Sequence, residues 1–249
     1  MVQVQEQDFF GGAMRGVVPQ RWLDASDVRE IPDHQEVWLS PETLSTQIVE
    51  INQRVSKEEA LSTFSTLSHQ QPALAAGSGS AAHATAETVD QAAALYHLHD
   101  LCDEGDALQI VTPPQRVTPT RLVAAAPSGS TISAYKGVVT YITATKRGGS
   151  VPGASDHGTV SSVSDSAVAG ATLSGETSDL PPTTKVTCHY LLMRLGAQET
   201  DLVVFFNVPH EEFDKSGNPR GLSKEEAIAE DTISALVEKF EIRDWELFV

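Results

Sequence analysis

Runs rich in β-branched and aromatic residues mark strands at Phe10–Val18, Glu36–Leu39, Gln47–Gln53, Ala107–Val111, Arg121–Ala126, Val138–Thr145, Lys185–Arg194 and Leu202–Asn207. In Val138-Val139-Thr140-Tyr141-Ile142-Thr143 and Val186-Thr187-Cys188-His189-Tyr190-Leu191, apolar residues fall on both faces, as in a sheet covered by helices on one side and partly on the other. Ser56-Lys57-Glu58-Glu59 and Ser223-Lys224-Glu225-Glu226 match the capping box, in which a Ser hydroxyl and a Glu three residues on satisfy the opening amides of a helix. After the second box, Ala229, Ile233, Leu236, Val237 and Phe240 recur at helical spacing, with Glu225, Glu226, Glu230 and Asp231 left for water or the helix N-terminus. A further helix is expected over Glu87–His97. Hairpin-like strands in mid-chain and a lone helix near the end favour an antiparallel sheet over a wound βαβ array. The pattern thus predicts an α/β fold of the α+β kind, an α/β/α sandwich around a largely antiparallel sheet.

Three stretches interrupt this patterning: Ala/Gly/Ser-rich Pro72 to Ala86, a Pro-marked turn at Pro113 to Pro119, and Arg147 to Thr184, dominated by Ser, Gly, Thr and Ala. Such composition buries too little surface to offset the entropy of ordering, so residues 77–84 and 148–182 read as disordered insertions. A phosphorylation-regulated role for the second ranks below a plain loop extension, because it has no basic or Pro-directed pattern. The remainder is expected to form one domain spanning residues 1–249, with 40% apolar residues to build its core.

Asp and Glu number 34 against 17 Lys and Arg, a formal charge of −17. That balance argues against a general nucleic-acid binder, which must neutralise phosphates, and suits a basic protein surface or simple solubility. Two cysteines, Cys102 and Cys188, cannot form a disulfide framework and read as buried thiols. Met1 to Asp8 lacks the features of a secretory leader, and no window approaches the roughly 20 apolar residues that span a bilayer. A soluble protein of nucleus and cytoplasm is expected.

Signatures of common enzymes are missing: no G-x-S-x-G, Walker A loop, G-x-G-x-x-G, H-E-x-x-H or C-x-x-C occurs. Ser155-Asp156-His157 has triad residue types, but adjacent side chains diverge and their surroundings cannot preorganise a nucleophile. His97, His99 and Cys102 offer good zinc donors at a spacing that fits no standard site. If a helix ends at His97, both histidines fall on one side of an extended segment, and a hydrogen-bonded structural role outweighs ligation. No metal and no cofactor is expected. An enzyme would gain support only if His189, His97 and acidic groups shared a pocket.

The acidic stretch Arg29-Glu30-Ile31-Pro32-Asp33-His34-Gln35-Glu36-Val37 is more informative. Pro32 biases Ile31 away from helix, and Asp33 can form an Asx turn over His34 and Gln35, giving a defined bend before the strand at Glu36. Asp33 and Glu36 then sit at its two ends, where both carboxylates can engage Lys or Arg on a partner. By residue statistics the same bend is ordinary surface, with Asp33 capping a turn and Glu36 in solvent.

The order Phe9-Phe10-Gly11-Gly12-Ala13, Pro19, Asp24, Ser26-Asp27 and the acidic stretch resembles the opening of the Ran guanine nucleotide release factors, the Mog family. Tyr96-His97-Leu98-His99-Asp100-Leu101 is similar to the family's aromatic-His element, Thr200-Asp201-Leu202-Val203-Val204-Phe205-Phe206-Asn207-Val208-Pro209 to its T-D strand, and Phe240 to Phe248 to its closing segment. Departures are the two low-complexity insertions, His34 in place of a small polar residue and His99 in place of an acidic one.

The resemblance implies a PsbP-like fold, binding to the small GTPase Ran in its GTP-bound and nucleotide-free forms, release of its nucleotide in nuclear import, and no covalent chemistry. By the same resemblance, Asp33 and Glu36 are the principal partner contacts, with Gln35, Asp27 and Arg29 as supports. If nucleotide affinity is near picomolar, about 16 kcal/mol must be offset, whereas close interfacial charge pairs couple by roughly 1.5–7 kcal/mol. An extended interface, or a second Ran-binding protein acting alongside, is therefore implied. The competing class is a PsbP-like ligand-binding or structural protein with no GTPase role.

Overall fold

A computed structural model of the chain describes residues 3–71, 84–144 and 183–248. In order the elements are β1 (Val4–Phe9), β2 (Met14–Pro19), β3 (Leu23–Asp24), β4 (Gln35–Leu39), β5 (Thr46–Gln53), α1 (Lys57–Gln70), α2 (Ala86–Asp100) and β6 (Ala107–Val117). There follow α3 (Thr120–Ala125), β7 (Ile132–Ala144), β8 (Thr183–Leu195), β9 (Thr200–Pro209), α4 (Glu211–Ser216), α5 (Pro219–Lys239) and β10 (Glu241–Ile242). Short 3-10 turns occupy Phe10–Gly12, Ala25–Asp27 and Trp245–Phe248. The main sheet has seven strands in the order β3-β4-β5-β9-β8-β7-β6, every neighbouring pair antiparallel. A smaller sheet, β1-β2-β10, is also antiparallel.

The two-residue period of a strand explains the layering. From β9, Leu202, Val204, Phe206 and Val208 enter one core with Ala229, Ile233 and Leu236 of α5 and Val17 and Val18 of β2. The intervening Val203 and Phe205 enter a second core with Ala60 and Leu67 of α1 and Ala92, Leu95 and Leu98 of α2. Strand β8 divides in the same way, with Leu191 and Met193 on the first side and Tyr190 and Leu192 on the second. Helices thus cover both faces of a central antiparallel sheet, as the strand pattern predicts, with the smaller sheet beside α5.

Helix α1 opens as read from its sequence: Ser56 accepts from the Glu59 N–H at 3.2 Å, and Glu59 accepts from the Ser56 N–H at 3.2 Å. The second capping box does not start a helix. Helix α5 begins five residues earlier, where Asn218 accepts from the Gly221 N–H and Pro219 supplies a preset φ in the first turn. Ser223 is therefore internal to the helix, and Glu225, expected to meet water or the helix N-terminus, is buried and accepts from the Thr43 hydroxyl at 2.9 Å.

Arg121–Ala126, read as a strand, is the helix α3 with one residue beyond; Leu122 reaches the core, and Pro127 stops continuation. Pro113 to Pro119 is not simply a turn, because β6 runs through Pro113 and Pro114 to Val117. As the outermost strand it loses little from the missing N–H groups, and its register shifts there. The first strand is not Phe10–Val18 but the hairpin β1-β2, broken by the turn at Phe10–Gly12. Helix α2 extends to Asp100, beyond the expected end at His97. Residues 148–182, Ser155-Asp156-His157 among them, lie outside the described residues, as do 77–83 of the other expected insertion.

Candidate functional site

Two of the stretches used for the family resemblance meet in the second core. His97 of α2 and Asp201 of β9 are 3.0 Å apart, Nε2 to Oδ2. The same carboxylate accepts from Arg194 Nε at 2.9 Å and from the Val55 N–H at 3.0 Å. Arg194 also donates to Asp90 at 2.8 Å and to the Val55 carbonyl at 2.7 Å. Burial raises the Asp201 pKa, but the His97 bond, the Arg194 charge and the Val55 N–H outweigh it and hold the carboxyl below its ordinary range. This network ties α2 and the entry to α1 onto the sheet.

His99 does not share that environment. With the helix continuing through it, His99 is exposed while His97 is buried, so the two do not line one side of a strand. Cys102 is half-buried, its thiol pushed up to about 11 by burial and by Asp106 and Asp103. His189 lies on the opposite side of the sheet from His97, its Nδ1 3.5 Å from Glu230 of α5. The sheet lies between the two. Among the described residues no group of three or more His, Cys, Asp or Glu is arranged to hold a metal.

The surface around the acidic stretch is built differently. Strands β1 and β2 pair up to Phe9 and Met14, and the chain turns through Phe10, Gly11 and Gly12 with φ of 50°, 65° and 93°. Glycine takes such angles readily, but a bulky residue at Phe10 does not. The tip is held from outside: Glu36 Oε1 accepts from the Phe10 N–H at 2.6 Å, and the Ala13 carbonyl accepts from the Arg243 and Asp244 N–H groups at 2.8 and 3.1 Å. Residues 26 positions apart thereby join the Gly-Gly turn to the acidic stretch.

The stretch itself starts at Asp24, which accepts from the Ser26 N–H and hydroxyl at 2.8 and 2.7 Å and so caps the turn at Ala25–Asp27. The later bend is closed by backbone, the Gln35 N–H donating to the Pro32 carbonyl at 2.9 Å, and the His34 carbonyl accepts from the Ile51 N–H at 2.9 Å. The expected Asx turn is absent. With the bend already closed, Asp33 is exposed and its carboxylate makes no hydrogen bond or ion pair among the described residues. Asp27 and Arg29 are likewise exposed. Gln35 is committed to its cross-strand neighbour Glu50, at 3.2 Å.

Glu36, which residue statistics leave in solvent, points inward. Strand alternation puts it on the face of Trp38, which meets Phe9 edge-on at 6.5 Å between ring centroids. Burial pushes its carboxyl above the ordinary range, against the lowering effect of the Phe10 N–H, and the nearby Asp24 charge adds to the rise. Asp33 and Glu36 do line one cleft of about 270 Å³, together with Phe10, Ile31 and Pro32; Asp27 and Arg29 do not. The Phe10–Glu36 bond has no local signal in the sequence, because it depends on how two hairpins pack.

A central antiparallel sheet sandwiched by helices, with an acidic loop bonded through Glu36 to a left-handed hairpin tip, defines a class of α+β protein that presents the exposed carboxylate of Asp33 beside that tip. The family described as Ran-interacting Mog1 protein matches residues 7–209, and the chain belongs to it. The chain is 35% identical over 63 residues to the Ran guanine nucleotide release factor of Bos taurus, covering 24% of this chain and 34% of that protein. For the Homo sapiens protein of the same name the match is 39% over 51 residues, covering 20% and 27%. The chain thus spans about a third of the length of the curated relatives it matches. A solved structure of the Saccharomyces cerevisiae Ran-binding protein Mog1p superposes over 100% of both chains with a TM-score of 0.50 at 19% identity, a likeness of fold.

Proposed function

We propose that this chain, as one domain spanning residues 1–249, binds Ran and promotes release of its guanine nucleotide, supporting nuclear protein import in nucleus and cytoplasm. It does so without covalent chemistry of its own. The observation that carries this reading is the family match across residues 7–209, which includes the whole acidic stretch and the sheet that presents it. Asp33, exposed on the lining of the cleft and without a partner among the described residues, is the carboxylate best placed to meet a basic group; Asp27 and Arg29, exposed earlier in the same stretch, support it, and Gln35 and Glu36 shape the base of the loop.

A release factor must bind nucleotide-free Ran more tightly than the GTP-bound form, and by linkage GTP then weakens the factor's binding by the same ratio. An acidic loop meets that requirement by competing for the cations that otherwise hold phosphates. One charge pair falls far short of a tight nucleotide's binding energy, so a second Ran-binding protein or a broad interface completes the exchange. The test is release of labelled GTP from purified Ran. The chain should accelerate it, and Asp33→Ala should lose most of the effect with folding unchanged; unaltered release in the presence of the wild-type chain would refute the reading.

A further inference from the structure

The acidic pair divides by geometry, and the division assigns Glu36 a role other than that of Asp33. Resting on the release-factor reading above, we infer that Glu36 is a positioning residue: it holds the hairpin tip Phe10–Gly12 in its left-handed turn, so that the tip and the Asp33 loop form one face toward the GTPase. It does not itself pair with a basic group of the partner.

Four observations converge. The carboxylate is half-buried and already engaged, accepting from the Phe10 N–H at 2.6 Å. Its strand direction sends it toward Phe9 and Trp38 rather than outward. The tip it holds has three successive residues at positive φ, one of them a phenylalanine, a conformation that needs external support to persist. Finally, packing among the described residues does not account for the two glycines, since a Cβ built at Gly11 or Gly12 meets none of their atoms within 4 Å. The tip is open on that side, with Gly11 exposed, so another molecule's surface can approach the backbone closely. Burial also makes the ionised form of Glu36 costly, which suits an acceptor better than a charge donated to a partner.

The two roles part on one conservative change. Glu36→Gln keeps an acceptor oxygen for the Phe10 N–H and removes the charge, whereas Glu36→Ala removes both. In GTP release from Ran, E36Q should stay within about twofold of wild type, while E36A should lose about tenfold, the worth of one hydrogen bond to a charged group. Gly12→Ala, which leaves every charge in place and strains the tip at φ of 93°, should fall toward the E36A level. An E36Q variant as impaired as E36A would overturn the inference and make Glu36 a direct charge contact; an unimpaired E36A would overturn it as well. A wild-type chain that leaves release unchanged would instead defeat the release-factor reading. Amide exchange at Phe10 reads the bond independently of Ran. Protection in wild type and E36Q with rapid exchange in E36A supports the positioning role, and equal exchange in all three overturns it.

Discussion

Asp201 and Glu36 are carboxylates withdrawn from water on strands of one sheet, and their surroundings drive them in opposite directions. Asp201 is fully buried yet meets Arg194, His97 and the Val55 N–H, which together hold its pKa down against burial. Glu36 is only half-buried, but it has a single N–H partner and Asp24 as a like-charged neighbour, and its pKa rises. The core thus neutralises its charge within the chain. The acidic loop does not, and Asp33 a few residues away has no counter-charge at all among the described residues. Satisfied charge holds the fold together, whereas unsatisfied charge at a surface is what remains to attract something else.

The sharpest way to break this contrast is Arg194→Ala, which takes the guanidinium away from buried Asp201 and from Asp90. It should cost about 3–5 kcal/mol in urea unfolding, as removal of one partner from a buried pair does. A smaller effect is expected at the loop: E36A should be less stable than E36Q by about 1–3 kcal/mol, because only the former leaves the Phe10 N–H without its acceptor. Asp33→Ala should sit at the other extreme, within about 0.5 kcal/mol of wild type by thermal unfolding, despite its expected effect on nucleotide release.

Acid titration of stability separates the two carboxylates by sign. Asp201, with its folded pKa lowered, contributes stability that is complete above its unfolded pKa near 3.8 and is lost as the pH falls through the folded value. Glu36 has a raised folded pKa, so the folded state binds the proton more tightly than the unfolded one. Its contribution falls as pH rises from the unfolded value near 4.5 through the folded one. Unfolding measured between pH 3 and pH 7 should therefore show that E36Q removes this loss and gains on wild type toward neutral pH. A parallel pH profile for the two proteins would show that Glu36 is not withdrawn from water.

Much of the layered fold was legible in the residue pattern because β8 and β9 alternate over long runs, and because the Ser56–Glu59 box is a local bonding pattern. Misreadings fell where signals were short or competed. Six residues of α3 are too few to show a helical period, and Asn218-Pro219 out-competed Ser223 for the start of α5. At the site, the bend before Glu36 was legible from Pro32, but the inward turn of Glu36 was not.

From its sequence alone this protein had its strand alternation, its excess of acid and its family motifs, all properties of residues close together along the chain. Only the tertiary structure decided that His97 meets Asp201 across 104 positions and that Glu36 holds the Phe10 tip across 26. Hydrogen bonds of that separation form only once sheets and helices have packed, and so leave no periodic trace in the order of residues.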